Sequence, residues 1–211
     1  MAKFDGKIKI NKVKVIILAA GKGERLMPLT QNTPKPLLSL GDGRTILETQ
    51  LDALGQYGLD EVVLVLGYLA EQVEAKIKKY KDFKITTVYN PFFEISNNLA
   101  SLWMAKHEMD EEFMVVNGDD IFHPRVIQGL LNVSREKEIC MVIDRKRKYL
   151  AEDMKVKTRR NRVYAVSKKI DLKKAKGESI GMIKFLGNGA RRIKETLEQM
   201  MRDGSGLNVF W

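Results

Sequence analysis

A turn of small and basic residues follows the first apolar run of the sequence. Val13–Ala19 is largely apolar and partly β-branched, which predicts a buried strand. Small residues after a strand let the backbone approach a ligand, and successive amides in such a turn bind anions. Lys22 and Arg25 add positive charge, and an arginine can contact two phosphate oxygens at once. The run Leu18–Leu29 therefore predicts a site for a phosphate-rich ligand.

Two further charged residues are suited to phosphate chemistry. Lys35 lies between two prolines in Thr33–Leu37, and this stiff, extended segment can direct its ammonium group. Asp119 follows a strand predicted over Phe113–Val116, and open α/β sheets bind ligands at the carboxyl ends of their strands. Because carboxylate oxygens suit Mg²⁺, Asp119 is the candidate metal ligand, whereas we expect Asp120 to cap the turn or face solvent.

The segment Leu18–Leu40 resembles the signature of the sugar-nucleotide pyrophosphorylase superfamily of nucleotidyltransferases. It contains Ala-Ala-Gly-x-Gly-x-Arg, then Pro-Leu-Thr and Pro-Lys-Pro-Leu, at the spacing of that family. A Walker loop would end in Gly-Lys-Ser/Thr and a Rossmann fingerprint would have a third glycine, and both are missing. The resemblance implies that the loop binds the phosphates of a nucleoside triphosphate. The implied nucleotide-binding residues here are Leu18, Ala19, Ala20, Gly21 and Gly23, and the implied catalytic residues are Lys35 and Arg25.

The stretch Asn90–Trp103 resembles the CTP-using branch of that superfamily, which includes bacterial phosphocholine and inositol-1-phosphate cytidylyltransferases. In that branch the stretch lies near the base and the ribose, so the resemblance makes Asn98 and Ser101 nucleotide-binding candidates, with Asn90 a further one. Three aromatic residues could surround a choline-like cation, although we expect core packing for at least two of them. These residues are Phe92, Phe93 and Trp103.

Later segments resemble the acceptor side of the same branch. By position, Lys168 would hold the acceptor phosphate, Glu178 would contact a hydroxyl group, and Lys155 is a further substrate-binding candidate. The family usually supplies a second metal carboxylate in a Glu-Ile-Asp type of stretch near its C-terminus, and the sequence lacks one. We therefore expect a basic extension over residues 1–12 and a nucleotidyltransferase domain over residues 13–211 that lacks its C-terminal end.

Periodicity predicts an α/β fold. Strand-like runs such as Glu61–Leu66 alternate with helical runs as far as Ile139–Ile143, which predicts a mostly parallel, Rossmann-like sheet flanked by helices. Three strand-like runs without an intervening helix then suggest a small antiparallel β insertion or sheet extension over the acceptor site. These runs are Met154–Lys157, Val163–Ser167 and Ser179–Phe185, and a helix is predicted after them over Asn188–Arg202.

Composition narrows the classes of function. The 211 residues, 44% of them apolar, fit one globular domain, and no apolar run suits a membrane span or a signal peptide. The single cysteine, Cys140, lies in an apolar run and indicates a reducing cytoplasm. The net charge of +10 suits anionic ligands, although the charge run over Asp144–Lys176 also suits a solvated face.

These observations predict a cytidylyltransferase that uses Mg²⁺. It would transfer CMP from CTP to a phosphorylated small alcohol, giving a CDP-alcohol and pyrophosphate. The alternatives are a sugar-1-phosphate nucleotidyltransferase using UTP or dTTP, a non-catalytic NTP-binding regulatory domain, and a nucleic-acid-binding module. Nucleic acid is not expected as a partner, because no nucleic-acid motif is recognised. Choline, inositol, glycerol and aminoethylphosphonate remain open as the acceptor group, and the oligomeric state is not indicated.

Overall fold

One mixed sheet organises the fold in the computed structural model, which describes residues 13–207 and residue 209. Its strands are β1 (Lys14–Ala19), β2 (Glu61–Leu66), β3 (Lys84–Tyr89), β4 (Glu112–Asn117), β5 (Ile139–Asp144), β6 (Lys155–Arg159), β7 (Arg162–Ser167) and β8 (Gly177–Leu186). The α-helices of the described residues are α1 (Ile46–Gly55), α2 (Ala70–Ile77), α3 (Asn98–Met104), α4 (Arg125–Leu131) and α5 (Asn188–Arg202). The predicted basic extension over residues 1–12 lies outside the described part of the chain.

The strand order is β3-β2-β1-β4-β8-β6-β7, and β5 pairs with β8. Strands β1 to β4 are parallel, which confirms the predicted α/β architecture. Successive residues of β1 point to opposite faces: Ile17 packs in a cluster with α1, α2 and α4, whereas Ile16 packs in a cluster with α3 and α5. Helices therefore cover both faces of the sheet, which explains why β1, β2 and β4 are nearly continuous apolar runs.

Helix α1 begins with a capping box. The Thr45 hydroxyl accepts a hydrogen bond from the backbone N–H of Glu48 at 3.2 Å, and the Glu48 carboxylate accepts one from the Thr45 N–H at 2.8 Å. The same carboxylate forms ion pairs with Lys79 and, at 3.0 Å, with Lys76 of α2. The hydrogen bond from Lys79 is the main reason why the pKa of Glu48 falls to about 2. These contacts fix α1 against α2.

Strand β8 differs from its predicted place. The sequence suggested that Ser179–Phe185 belongs to an antiparallel insertion or extension beside the parallel sheet. Instead, β8 lies inside the sheet, between β4 and β5, and runs antiparallel to both. Glu178, near its beginning, pairs with Asp144 of β5 and with Lys155 of β6. Only β6 and β7 therefore form the predicted β insertion.

The β6–β7 hairpin turns at Arg160 and Asn161. Both residues have positive φ, 49° and 60°, which is typical of a type I′ hairpin turn. Burial decreases toward this turn, and the first three residues of β7, Arg162–Tyr164, are all exposed. The outer half of the hairpin also contains a register shift, because Lys157 pairs with Ala165 and Thr158 with Val163, which leaves Tyr164 as an extra residue of β7. None of the helices that the structure describes is long and apolar enough to cross a membrane.

Candidate active site

The glycine-rich loop follows β1 at the carboxyl edge of the parallel strands. Gly23 has a φ of 68°, in the left-handed region, and a Cβ there would lie 3.0 Å from the Thr30 side chain. The buried Thr30 hydroxyl donates a hydrogen bond to the Gly23 carbonyl at 3.0 Å, which fixes the loop. A Cβ on the exposed Gly21 would meet no atom within 4 Å, so the space beside Gly21 is open to a ligand.

This loop lines a cleft of about 820 Å³, which lies within the size range of small-molecule sites. The cleft brings together most of the residues that the sequence analysis selected. These are Leu18, Ala19, Ala20, Gly21, Gly23, Arg25, Lys35, Asn98, Ser101, Asp119, Lys168 and Glu178. A second depression, of about 980 Å³, lies between the end of α5 and the segment after α3, and contains none of the predicted site residues.

Lys35 and Asp119 form an ion pair inside the cleft, between Nζ and Oδ2. Lys35 begins a short 3₁₀ turn, Lys35–Leu37, which is closed by a 2.8 Å hydrogen bond from the Leu37 N–H to the Pro34 carbonyl. Asp119 lies in the turn after β4. The arrangement places one cation and one carboxylate at the same point, where a phosphate and a metal ion could both be contacted.

The turn that carries Asp119 is held from two directions. The Gly118 N–H donates to the Leu18 carbonyl at 2.8 Å, and a Cβ on Gly118 would lie only 2.8 Å from that oxygen. From α1, the side-chain amide of Gln50 donates to the carbonyls of Asn117 and Asp120, at 2.9 and 2.8 Å. The backbone on both sides of Asp119 is therefore fixed to the core of the domain.

Asp120 does not face solvent, one of the two places expected for it, whereas a backbone hydrogen bond from Asn117 to its carboxyl is in keeping with the other, a cap of the turn. It lines the cleft half-buried, and its Oδ2 is buried without a hydrogen-bond partner among the described residues. Burial, followed by the charge of Asp119, raises the pKa of the Asp120 carboxyl to about 8. The carboxylate that forms the ion pair with Lys35 is that of Asp119.

Asn90 is separated from the cleft, contrary to its predicted contact with the nucleotide. It is buried, and its side-chain amide donates to the hydroxyls of Ser101 and Ser96 at 3.0 and 3.3 Å. Its Oδ1 accepts a hydrogen bond from the Phe92 N–H at 2.9 Å. Asn90 therefore positions the segment before α3, whereas Ser101 and Asn98 themselves line the cleft.

Of the three aromatic candidates, only Phe93 lines the cleft. The Trp103 indole instead donates to a glutamate of α5 at 3.0 Å, and Phe92 is half-exposed elsewhere. The same segment is joined to the glycine-rich loop by an ion pair between Lys22 Nζ and Glu94 Oε1, at 2.6 Å. This contact is the main cause of a raised pKa of Lys22. It connects two walls of the cleft.

The far end of the cleft is lined by charged residues of both signs. Lys168 and Glu178 lie there as predicted, together with Asp144, Lys146 and Glu152. Lys146 forms an ion pair with Glu178, and this contact is the main cause of a raised pKa of Lys146. The mixture of ammonium and carboxylate groups suits a small substrate that itself carries charges of both signs.

Lys155 does not bind at this end, and its assignment as a substrate-binding residue is not supported by the structure. Its side chain is almost completely buried outside the cleft. Nζ donates three hydrogen bonds, to the carbonyls of Leu150, Ala151 and Asp153 at 3.2, 2.7 and 3.1 Å. Lys155 therefore holds the loop before β6 in place.

Gln50 is the positioning residue that the sequence analysis missed. A signal for it exists, because Gln50 falls on the apolar face of α1 that also carries Leu47, Leu51 and Leu54. A polar side chain at a buried helical position must find hydrogen-bond partners, and most such partners are backbone groups or water. Within the described residues, no group of three or more His, Cys, Asp or Glu could hold a metal ion by itself.

Comparison with known proteins assigns the family. The family described as Nucleotidyl transferase matches residues 14–152, so the chain belongs to that family. CMP-5'-(3-aminopropyl)phosphonate synthase of Streptomyces rubellomurinus is 40% identical over 119 residues, which make up 56% of this chain and 19% of that protein. Choline-phosphate cytidylyltransferase of Streptococcus pneumoniae is 35% identical over 103 residues, which make up 49% of this chain and 43% of that protein. The chain thus spans less than half the length of these two relatives.

The fold agrees with this membership. The solved structure of CTP:phosphocholine cytidylyltransferase from Streptococcus pneumoniae superposes with a TM-score of 0.73, at 23% identity. The superposition covers 95% of this chain and 82% of that one. The resemblance to nucleotidyltransferases that the glycine-rich loop suggested is therefore confirmed for the family and for the fold.

Proposed function

We propose that this chain is a cytidylyltransferase, which transfers CMP from CTP to a phosphorylated small alcohol of the phosphocholine or inositol-1-phosphate type. The products are a CDP-alcohol and pyrophosphate. The observation that carries the proposal is the cleft itself, in which the glycine-rich loop and the Lys35–Asp119 pair lie at one end and Lys168 and Glu178 at the other. A triphosphate and a phosphorylated acceptor would meet between these two ends.

The reaction requires no protein nucleophile. An oxygen of the acceptor phosphate attacks the α-phosphorus of CTP in line and forms the new P–O–P bond, while the bond to the β-phosphate oxygen breaks and pyrophosphate leaves. A phosphate dianion is nucleophilic near neutral pH, so catalysis consists of positioning and charge neutralisation. Lys35 and Arg25 neutralise the phosphates, and the amides of the loop around Gly21 and Gly23 bind them.

Mg²⁺ is the proposed cofactor, and Asp119 fits it. Mg²⁺ in proteins is commonly held by one or two carboxylates together with substrate phosphates, so a cluster of protein ligands is not required. The Asp119 carboxylate lies in the cleft and is paired with a lysine that the triphosphate could recruit instead. The bound metal would supply neutralisation of negative charge on the phosphates.

Two features support the choice of substrates. The Asn90–Trp103 stretch favours cytosine through its resemblance to CTP-using enzymes, and both relatives described above are named for cytidylyl compounds. At the acceptor end, the carboxylates of Asp144, Glu152 and Glu178 favour an acceptor with a cationic nitrogen over a neutral polyol. We place this reaction in the cytoplasm, in keeping with the single cysteine.

A substrate panel tests this proposal directly. The chain is incubated with Mg²⁺ and each of CTP, UTP and dTTP, combined with phosphocholine, 2-aminoethylphosphonate, inositol 1-phosphate or glucose 1-phosphate, and products are separated by chromatography. CDP-choline or CDP-inositol formed with CTP supports the proposal, whereas a CMP-phosphonate as the only product would keep the transfer of CMP and assign a phosphonate acceptor instead of a phosphorylated alcohol. Product only from glucose 1-phosphate with UTP or dTTP would assign a sugar nucleotidyltransferase. CTP binding with no pyrophosphate released from any pair would assign a non-catalytic NTP-binding domain.

A further inference from the structure

The net charge of the whole chain is contained in one segment. Residues 144–176 hold 14 lysines and arginines and 4 aspartates and glutamates, a net charge of +10, which equals the net charge of all 211 residues. The rest of the sequence is balanced. In the fold, this segment forms the loop after β5, the β6–β7 hairpin and the chain that leads into β8. The electrostatic field of the protein is therefore strongly one-sided.

Most of this charge is not used by the cleft. Of the basic residues in the segment, Lys146 and Lys168 line the cleft and Lys155 is buried. The other eleven form no ion pair with a carboxylate in the part of the chain that the structure describes. Positive charge at the cleft is enough to steer anionic substrates toward it. The three arginines around the turn of the β6–β7 hairpin are not needed for that purpose.

That turn places charge and apolar surface side by side. Arg159, Arg160 and Arg162 flank or form it, and Val163 and Tyr164 follow on β7 with exposed fractions of 40% and 65%. We call these five residues the hairpin patch. Arg160 occupies a left-handed position at which glycine or asparagine is normal in such turns, so charge is kept there at the expense of backbone strain.

Two neighbouring segments repeat the same combination. Leu150 and Leu172 are about half-exposed, and each lies close in sequence to exposed lysines or arginines. Both segments adjoin β6: Lys155 Nζ donates to the Leu150 carbonyl at 3.2 Å, and the Lys176 N–H donates to the Val156 carbonyl at 2.8 Å. Apolar side chains thus accompany the basic residues on the elements around the hairpin.

We propose that the hairpin patch docks this domain on an anionic membrane surface. Arginines near an anionic leaflet are attracted to it, and exposed aliphatic and tyrosine side chains insert at the level of the headgroups. Charges on an edge strand also prevent unwanted strand pairing, but that role needs no apolar neighbours. Single-stranded nucleic acid would favour several aromatic rings for stacking, and the patch has only Tyr164. The proposal does not depend on the identity of the nucleotide or of the acceptor.

Vesicle binding tests the proposal. The full chain is sedimented with vesicles of phosphatidylglycerol and phosphatidylcholine, and with vesicles of phosphatidylcholine alone. The expected result is binding to the anionic vesicles only, weakened by salt. The triple variant Arg159→Glu, Arg160→Glu, Arg162→Glu should lower the partition coefficient about 100-fold or more. The matched control reverses three exposed basic residues elsewhere, namely Lys78→Glu, Lys81→Glu and Arg125→Glu, and should lower it far less.

A second variant, Val163→Ser with Tyr164→Ser, keeps every charge and should still weaken binding, by roughly tenfold. Thermal unfolding of each variant verifies that the fold persists. The proposal is overturned if the unmodified chain does not sediment with anionic vesicles, or if the control variant loses as much binding as the hairpin variant. Tight binding of a homopolymeric RNA without vesicle binding would overturn it as well, and would assign the patch to nucleic acid.

Discussion

Lys35 and Asp119 form an ion pair across the cleft although 84 positions separate them in the sequence. Their side chains are 23% and 37% exposed, and ion pairs with that much access to water contribute at most about 1 kcal/mol to stability. A pair of this kind is of little use for folding. Its position in the cleft is in keeping with the proposed roles of both residues in binding the phosphates and the metal ion.

The substitution Lys35→Ala should therefore strongly reduce turnover while leaving the fold intact. Loss of one electrostatic stabiliser of the transition state lowers kcat on the order of 10²- to 10³-fold. The free energy of unfolding should change by no more than about 1 kcal/mol. Product formation and denaturant unfolding measure the two effects, with the exposed Lys78→Ala as the control. Near-normal turnover of Lys35→Ala would remove Lys35 from the mechanism.

Gln50→Leu should impair catalysis although the side chain of Gln50 does not line the cleft. The substitution removes the two hydrogen bonds to the carbonyls on either side of Asp119, so the turn can shift. We expect kcat to fall roughly 10- to 100-fold, since small displacements of catalytic groups have such effects. NTP binding by the glycine-rich loop should persist, as measured by calorimetry. The exposed Gln128→Leu on α4 is the control, and a fall in NTP affinity equal to the fall in kcat would contradict a positioning role.

Substitution of Lys155 should lower the stability of the fold, whereas substitution of Lys168 should weaken binding of the acceptor. Lys155→Met removes the buried donor of three hydrogen bonds to backbone carbonyls, so the free energy of unfolding should fall by about 1–3 kcal/mol. Lys168→Met, at the cleft, should raise the KM for the acceptor with little change in stability. Chemical denaturation and steady-state kinetics separate the two. Equal stability of both variants would show that the buried hydrogen bonds of Lys155 are unimportant.

Because of Glu48, the free energy of unfolding should vary with pH in the acid range. Its folded-state pKa, about 2, lies below its ordinary value of 4.5, so its contribution is complete above pH 4.5 and is lost as the pH falls toward 2. That contribution is up to about 3 kcal/mol. Glu48→Gln should therefore flatten the decrease in unfolding free energy between these pH values. Glu74→Gln, on the exposed face of α2, should leave the decrease unchanged.

Much of the fold and of the phosphate-binding end could be predicted because the relevant information is local. The predicted bounds Glu61–Leu66 and Asn188–Arg202 agree with β2 and α5, since β2 is a continuous apolar run and α5 has a helical periodicity. The glycine-rich loop and Lys35 lie within a few residues of each other, so one short stretch of sequence shows how they cooperate.

The failures concern partners that periodicity does not specify, whether these lie near in the sequence, as for Lys155 and Asn90, or far away, as for β8. In the sequence, Lys155 looks like any lysine of a strand. Its burial depends on three carbonyls of a loop, and the periodicity of the sequence does not reveal the path of that loop. Asn90 resembles a nucleotide contact by position, yet its partners are the hydroxyls of Ser96 and Ser101. The place of β8 inside the sheet depends on pairing with β4 and β5, which the sequence of β8 alone does not specify.

The pairing of Asp144 with Glu178 has a consequence for how such an enzyme can be altered. Because the two residues are direct partners in neighbouring antiparallel strands, the chain leaves β5 after Asp144 and comes back beside it at Glu178 of β8, after forming β6 and β7 in between. Partners of this kind lie only about 5 Å apart, so a tight turn could join β5 to β8 in place of the whole excursion. The segment between them could thus be exchanged as one unit. Exchanging it between relatives would change the far end of the cleft and the charged surface together, while the glycine-rich loop after β1 kept its own geometry.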